Sequence, residues 1–295
     1  LWRIYWKGYL ENYKSIWFEY INFKENSNTK SSLTAAIKGS TGIDCFDAWV
    51  DELRENNYLH NHSRMWFASI WIFTLGLPWQ MGARFFMTHL LDGDASSNTL
   101  SWRWVAGMHT NKKPYMASKE NINKYTVNRF MNFPIALSNK IDTVESNHHK
   151  SNKLPKKRIT SDSNFLIMFD NDMNINNRSE LFNSYTKVYL VSNGINNQGF
   201  KLNKKVCQFK QDLIKDINKL IPNSEILESN NIEILLRDQN YIDVVYPGVG
   251  HNLDVINYYV SQMKVIINYI YREEDLACWN YSNSGFYKFK TTFYK

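Results

Sequence analysis

The 295-residue chain has a formal net charge of +7 and a hydrophobic share of 43%, which allows two packed domains and favours anionic partners such as nucleic acid. The three cysteines, Cys45, Cys207 and Cys278, lie far apart without a CxxC pair, which argues against a disulfide framework or a zinc site. No signal peptide or membrane span is visible, so we expect a cytoplasmic protein. Because the chain opens at Leu1 without a methionine, we also expect a fragment of a longer reading frame.

The first 56 residues predict two helices separated by a polar loop. Residues 1–23 carry aromatic side chains three or four positions apart, as a buried helix face does. After the loop, the turn Gly39-Ser-Thr-Gly42 leads into an amphipathic helix over Asp44–Glu55. We interpret the aromatic stripe mainly as core packing. Its members are Tyr5, Tyr9, Tyr13, Trp17 and Tyr20.

The stretch from Asn57 to Trp104 organises the chain. Its first helix has a polar opening and then a run, Met65–Leu77, that is apolar on nearly every side and too short to span a bilayer. At helical spacing Asn61 and Met65 share one face, and His60 and Arg64 share the neighbouring one. A buried guanidinium requires a carboxylate partner, so Arg64 predicts an ion pair with Asp92 or Asp94.

The order of motifs in this stretch resembles a known family. HNxxRM, followed by LLDGDxxxN and WxW, is similar to the C-terminal, FAD-binding helical domain of the DNA photolyases and cryptochromes. The resemblance begins at Leu1-Trp2-Arg3 and fades near Tyr115. It implies non-covalently bound FAD, with a set of cofactor-binding residues at Asn61, Arg64, Asp92, Gly93, Asp94 and Asn98.

The resemblance also implies roles in electron transfer. Trp102 matches the inner relay beside the flavin, and Trp79 matches the middle relay of an aromatic chain that ends at the surface. Residues 19–48 contain no tryptophan for the outer relay, so Trp49 or Trp71 is the expected substitute. Because the cofactor carries the chemistry, no general base and no metal are required.

The implied substrate is damaged DNA, with a cyclobutane pyrimidine dimer flipped out of the stack. Trp2, Met65 and Trp104, together with Asn61, would line the cavity that receives it. Two positions depart from the family pattern: Ser40 replaces a basic residue, and Leu100-Ser101 replaces a pair of glycines. Basic residues after Thr110 meet either DNA phosphates or solvent; they are Lys112, Lys113, Lys119, Lys124 and Arg129.

The sequence as a whole predicts a mainly α domain over residues 1–133, a linker over 134–160 and an α/β domain over 161–295. Alternating strands and helices imply a mostly parallel sheet. The predicted strands are Phe165–Asp170, Lys187–Val191, Ile232–Leu236, Asp243–Tyr246 and Val265–Tyr271, and the predicted helices are Lys204–Leu220 and Leu253–Val260. An antenna pigment is possible for this class of protein, but its identity and the role of the second domain stay open.

One motif in the second domain suggests a different chemistry. The segment from Phe169 to Asn174, with Val191-Ser-Asn-Gly194 after the next strand, resembles the first two motifs of the haloacid-dehalogenase phosphatases, with Asp170 in the nucleophile position. The later motifs do not match, because Gly248–Asn252 lacks an acidic pair and no lysine is clearly placed. A helper domain without chemistry of its own is therefore the favoured interpretation.

Three functions follow for the whole chain. The leading one is a monomeric photolyase, in which excited reduced FAD splits a pyrimidine dimer. The first alternative is a cryptochrome-like blue-light receptor that binds FAD without repairing DNA. The second alternative is a protein without flavin that binds nucleic acid or a protein partner, although the polar set around Arg64 and Asn98 would then have no reason to be kept together.

Overall fold

The computed structural model describes residues 1–24, 29–109, 112–130, 150, 163–192 and 201–293. The chain forms two compact units. The helical unit comprises Ser15–His149 and Ser284–Lys288, and the α/β unit comprises Leu1–Lys14, Lys150–Asn283 and Phe289–Lys295. A helical N-terminal region followed by a parallel sheet with helices confirms the predicted fold class. Apart from Lys150, the predicted linker over 134–160 lies outside the described residues.

The predicted helix over residues 1–23 is two helices, because the chain breaks at Tyr13 and Lys14. Helix α1 spans Trp2–Asn12 and helix α2 spans Ser15–Ile21. The helical unit continues with α3 (Lys30–Lys38), α4 (Asp44–Asn56), α5 (Asn61–Ser69), α6 (Trp79–His89), α7 (Ala95–Val105) and α8 (Lys119–Tyr125). A single π-helical turn, Ile70–Thr74, extends α5, so the predicted apolar helix is confirmed but ends with a wider turn.

The α/β unit contains a five-stranded parallel sheet with the order β3-β2-β1-β4-β5. Its elements in chain order are β1 (Phe165–Phe169), α9 (Ser179–Asn183), β2 (Lys187–Ser192), α10 (Lys204–Leu220), β3 (Ser224–Glu228), α11 (Ile232–Leu236), β4 (Tyr241–Val245), α12 (His251–Gln262), β5 (Ile266–Ile270) and α13 (Glu273–Trp279). The last helix of the chain, α14, spans Phe286–Phe293. The two faces of the sheet carry separate apolar cores, as expected when helices cover a parallel sheet on both sides.

Two elements of the sheet differ from the prediction. Residues Ile232–Leu236 form helix α11 and not a strand, because Ile232 and Leu236 are buried four positions apart while Ile234 between them is 65% exposed. The strand beside β2 is Ser224–Glu228, which the sequence does not reveal because it is polar and largely exposed at the edge of the sheet.

Helix α1 packs inside the α/β unit against α13. A Cβ atom added at Gly8 would lie 2.5 Å from Ser282 Oγ and 2.7 Å from the Trp279 ring, so only glycine permits this approach of the two helices. Asn12 donates a hydrogen bond to the Trp279 carbonyl at 2.9 Å, and Tyr246 donates one to the buried Glu11 carboxylate at 2.7 Å. The assignment of residues 1–133 to one domain remains a prediction from the sequence. The contacts described here for α1 are made with residues of the α/β unit.

Across the described ranges, no helix combines the length and the apolar character that a bilayer crossing requires.

Candidate functional site

The polar opening of α5 has the geometry that the sequence predicts. The side chain of His60 caps the helix by accepting a hydrogen bond from the His62 amide at 3.3 Å. Asn61 Nδ2 lies 3.9 Å from Met65 Sδ, so these two side chains share one face of the helix. An amide and a thioether therefore stand side by side at the start of α5.

Arg64 forms the predicted ion pair with Asp92, with Nη2 3.0 Å from Oδ2. Arg64 Nε also donates to the Leu59 carbonyl at 2.8 Å, and its guanidinium lies over the Tyr58 ring at 5.1 Å. The expectation that this guanidinium is buried is wrong: the Arg64 side chain is 24% exposed and that of Asp92 is 56% exposed. Arg64 lies in the first turn of α5, ahead of the apolar run, and such an open pair contributes only about 0 to 1 kcal/mol to stability.

The Asp-Gly-Asp segment is a tight turn that starts helix α7. The Gly93 amide donates to the Leu90 carbonyl at 3.2 Å, and a Cβ at Gly93 would lie 3.1 Å from the same oxygen, which restricts this position to a small residue. Asp94 is the N-cap of α7 and accepts a hydrogen bond from the Ser97 amide at 2.8 Å. The turn therefore fixes the direction in which α7 leaves the Arg64–Asp92 pair.

Helix α7 carries polar groups into a buried setting. Asn98 is 8% exposed, and its Nδ2 donates to the Ala83 carbonyl on α6 at 2.8 Å, which orients its Oδ1 as an acceptor. Trp102 Nε1 and Thr99 Oγ1, on the same helix, are buried and have no hydrogen-bond partner among the described residues. An unpaired buried donor costs about 1 to 3 kcal/mol. These groups therefore fit a polar aromatic ligand such as a flavin, to which they would offer a donor and two acceptors.

Trp102 lies against α6 at Gly82. A Cβ at Gly82 would come within 2.3 Å of the indole, and the ring makes edge contacts with Phe86 at 5.0 Å and Trp71 at 6.1 Å between centroids. Gly82 follows Trp79 by three residues, or about 4.5 Å along the helix axis. Trp102 therefore lies against α6 about one helical turn from Trp79.

Tyr20 is the aromatic neighbour of Trp79 that the sequence did not single out. Their rings stack with centroids 5.8 Å apart and an interplanar angle of 15°, and Trp17 lies 5.3 Å beyond Tyr20. Of the two expected substitutes for the outer relay, Trp71 contacts Trp102, whereas Trp49 stacks on Trp66 at 5.7 Å. Tyr20 belongs to the aromatic stripe of residues 1–23, whose spacing gives no sign of which ring meets a distant tryptophan.

Two titratable groups of the helical unit, the half-buried His109 and the buried Tyr20, have shifted pKa values. Burial, and to a lesser extent the charge of Arg103, lowers the pKa of His109 to about 4, so its imidazole is neutral at neutral pH. Burial raises the pKa of the Tyr20 phenol, an effect that the positive charge of Arg84 partly opposes. Arg103 also lies over the Trp79 ring at 5.6 Å. Two guanidinium groups therefore contribute positive charge beside Trp79 and Tyr20.

The predicted substrate-contact residues fall in both units. Trp104 on α7 is 37% exposed and stacks on Tyr115 with centroids 5.6 Å apart, and Met65 lies in the same helical unit. Trp2 is 50% exposed and lies on α1, in the α/β unit. Within the helical unit, Met65 and Trp104 thus accompany the Arg64 pair and Asn98.

The α/β unit holds a separate polar cluster at the carboxyl ends of β1 and β4. Asp170 is 6% exposed and accepts hydrogen bonds from Asn252 at 3.1 Å and Lys210 at 3.4 Å. Lys210 is a lysine that the sequence did not place. The neighbouring carboxylate, Asp172, is paired with Arg178 at 3.2 Å and also with Arg272.

The described residues contain no group of three or more His, Cys, Asp or Glu side chains arranged to hold a metal ion. The helical unit instead combines an Arg–Asp pair, a capped Asp-Gly-Asp turn, a buried asparagine and packed tryptophans. This set characterises the flavin-binding helical domains of photolyases and cryptochromes. Residues 2–146 match the family model of the FAD binding domain of DNA photolyase, and this part of the chain belongs to that family.

Curated relatives agree with this assignment. The chain is 30% identical over 123 residues to the deoxyribodipyrimidine photo-lyase of Salmonella typhimurium strain LT2, which covers 39% of this chain and 25% of that protein. It is 42% identical over 76 residues to that of Streptomyces griseus (26% and 17%) and 29% identical over 123 residues to that of Escherichia coli K12 (39% and 25%). The chain thus spans at most about a quarter of the length of these relatives.

Proposed function

We propose that this protein is a light-driven DNA repair flavoprotein, which binds FAD in the helical unit and splits cyclobutane pyrimidine dimers. The observation that carries the proposal is the concentration of polar groups on α5 and α7. Arg64 is paired with Asp92, Asn98 is buried and oriented by Ala83, and Trp102 has a buried indole N–H without a partner among the described residues. The buried indole N–H of Trp102 is costly unless a polar ligand accepts its hydrogen bond.

When bound, FAD supplies the photochemistry, by which an excited, reduced ring gives an electron to the dimer. The residues of the chain would bind FAD and orient it. Arg64 and Asp92 present a donor and an acceptor at the mouth of the site, and Asp94 fixes the start of α7. The hydrogen bond from Asn98 to the Ala83 carbonyl fixes the Asn98 side chain, so that its carboxamide oxygen would face the ligand. Gly93 keeps the turn free of a side chain where the ligand approaches.

The substrate would be a dimer flipped out of duplex DNA, because the damaged bases are inaccessible inside the stack. Trp104 offers an exposed aromatic face, and Met65 and Asn61 offer an apolar and a polar contact. Trp2 is a further proposed contact. The chain's net charge of +7 favours association with the phosphate backbone.

Trp79 and then Trp102 would carry electrons inward to oxidised flavin. We extend this proposal to Tyr20, whose ring stacks on Trp79. A tyrosine loses a proton when it is oxidised, and burial opposes ionisation of Tyr20, so this path would conduct more slowly than one that ends in tryptophan. Slow photoreduction with intact repair by flavin that is already reduced is therefore the expected behaviour.

The deciding experiment combines a visible absorption spectrum with a repair assay. The purified protein should show flavin bands and release FAD on denaturation, and under blue light it should split the dimers in a synthetic oligonucleotide. A dark incubation is the control. Flavin without repair would favour the cryptochrome-like receptor, and a colourless protein that still binds DNA would favour the alternative without flavin.

The same material tests the remaining expectations. Chromatography of the released chromophores would reveal an antenna pigment beside FAD, and gel filtration would test the predicted monomer. Cell fractionation would test the expected cytoplasmic location.

A further inference from the structure

The turn at the end of α8 contains two consecutive residues with left-handed backbone conformation. Val127 has φ = 52° and Asn128 has φ = 56°. Asparagine adopts this conformation readily, but for a β-branched residue it is a genuine outlier. Such strain persists only where the surrounding structure enforces it, and it concentrates at functional positions.

Hydrogen bonds on both sides hold this turn in place. The Asn128 amide donates to the Asn123 carbonyl at 2.9 Å, and the Arg129 amide donates to the Thr126 carbonyl at 3.0 Å. The hydroxyl of Thr126 donates to the carbonyl of Ile122 at 2.8 Å, and the Ile122 side chain is fully buried. The backbone is thus fixed, and glycine or asparagine would meet its demands at position 127 without strain.

The Val127 side chain gains nothing from packing in return for this strain, because it is 87% exposed. Tyr125, at the start of the same turn, is 56% exposed, and its ring lies 5.4 Å from His62 on α5. Lys124 lies over the Tyr125 ring at 5.4 Å, and Arg129 lies over Phe130 at 5.0 Å. A small apolar tip is therefore flanked by an aromatic ring and by two cations.

The charge around the tip points to a polyanion. Residues 112–130 carry five basic side chains and one acidic side chain, Glu120. A single valine is too small to form an apolar patch for a protein partner. Proteins that deform nucleic acids, by contrast, insert single apolar side chains between base steps and hold the flanking phosphates with basic residues. Aromatic rings beside a basic surface also stack on exposed bases.

We propose that Val127 is an apolar wedge that enters the base stack of DNA, with Tyr125 stacking on the opened step and Lys124 and Arg129 holding the phosphates. His62 connects this surface to the opening of α5, where Asn61 and Met65 lie. The inference rests on the proposed function in one respect, namely that DNA is the partner. It adds a second contact surface beside the proposed dimer cavity.

Replacing Val127 by glycine distinguishes a side chain that contacts DNA from one that only stabilises the turn. In Val127→Gly the turn loses its strain, so the thermal midpoint should stay equal or rise. Affinity for DNA should fall about tenfold, because the opened base step loses the apolar side chain that fills it. Asn128→Gly is the matched control, because it changes the same turn without removing an apolar side chain. It should bind DNA like the parent protein.

Binding would be measured in the dark by fluorescence anisotropy of an undamaged 20-base-pair duplex that carries 2-aminopurine at its centre. The parent protein should increase 2-aminopurine fluorescence, which reports unstacking, and Val127→Gly should abolish the increase. Lys124→Ala should reduce the slope of log affinity against log salt concentration by about one.

If Val127→Gly binds and unstacks DNA like the parent protein, the proposed wedge is wrong. An equal loss of binding in Val127→Gly and Asn128→Gly would also overturn it, because the backbone and not the side chain would then matter. Since these measurements need neither flavin nor light, their outcome does not depend on that of the repair assay. A protein that unstacks DNA through Val127 but repairs no dimer would refute only the proposed function.

Discussion

Gly82→Ala tests whether the close contact between α6 and Trp102 organises the proposed site. A methyl group at this position would lie 2.3, 2.5 and 3.0 Å from three carbon atoms of the indole, Cη2, Cζ3 and Cζ2. Carbon atoms in contact normally lie about 3.5 to 4.0 Å apart, so the ring must move by more than about 1 Å. Trp102 is 2% exposed and borders Phe86 and Trp71, which leaves little room for that movement.

Two opposing effects decide the magnitude. Replacing glycine by alanine inside a helix stabilises it by about 0.5 to 1 kcal/mol. Overpacking a filled core costs about 1 to 3 kcal/mol. We therefore expect Gly82→Ala to destabilise the helical unit by up to about 2 kcal/mol and to change the near-ultraviolet circular dichroism of the buried tryptophans. Helix propensity alone would give the opposite sign.

A double-mutant cycle with Trp102→Phe isolates the contact. Phenylalanine is shorter than tryptophan at the atoms that would clash, so in the Trp102→Phe background Gly82→Ala should become neutral or stabilising. The free energy of unfolding of all four proteins would be measured in urea, with the near-ultraviolet signal as the probe. If Gly82→Ala destabilises equally in both backgrounds, or stabilises the parent protein, then the close approach to Trp102 does not govern this position.

The remaining predictions concern the ion pair, the relay, a half-buried imidazole and the second unit. Asp92→Ala should leave stability within about 1 kcal/mol, because the pair is exposed, but should lower the ratio of flavin to protein absorbance by leaving Arg64 without its carboxylate; unchanged occupancy would contradict the proposed pairing role. Trp102→Phe should slow photoreduction of oxidised flavin while sparing repair by flavin that is already reduced, and normal photoreduction would exclude this residue from the relay. The pKa of His109 falls from 6.5 to about 4 on folding, so the unfolded state binds the proton more tightly; stability should be complete above about pH 6.5 and decline as pH falls towards 4, and urea unfolding of His109→Asn should show a weaker decline over that window. Asp170→Asn should leave flavin content and photoreduction unchanged, and a phosphatase activity lost in this variant would restore the phosphatase interpretation of the α/β unit.

The shared face of Asn61 and Met65 follows from a short-range rule, because four residues complete about one helical turn. The pair of Arg64 with Asp92 was predicted on the premise of a buried guanidinium, and the pair forms although that premise is wrong. The exposure of that pair could not be read from the sequence. Apolar periodicity identifies a buried helix but does not show where along it the solvent boundary falls.

The stacking of Tyr20 on Trp79 and the strand at Ser224–Glu228 escaped prediction for different reasons. Tyr20 meets Trp79 across 59 positions of the chain, and aromatic spacing within one helix holds no information about such a partner. The edge strand lacks an apolar signal because it has one neighbour and little burial. The prediction of a strand over Ile232–Leu236 is wrong because a five-residue run with four apolar residues is equally compatible with a strand and with one turn of a buried helix.

The packing of α1 against α13 has a consequence for biosynthesis. Lys7 reaches Asp275 across 268 positions of sequence, and Gly8 meets Trp279 and Ser282 at a similar separation. On the ribosome, α1 emerges long before the helix that covers it, so its aromatic face must wait exposed until the chain up to Trp279 has been translated. Truncation before residue 273 would leave that face permanently uncovered. We therefore expect such truncated chains to depend on chaperones, and the contact between α1 and α13 to close only after α13 has been translated.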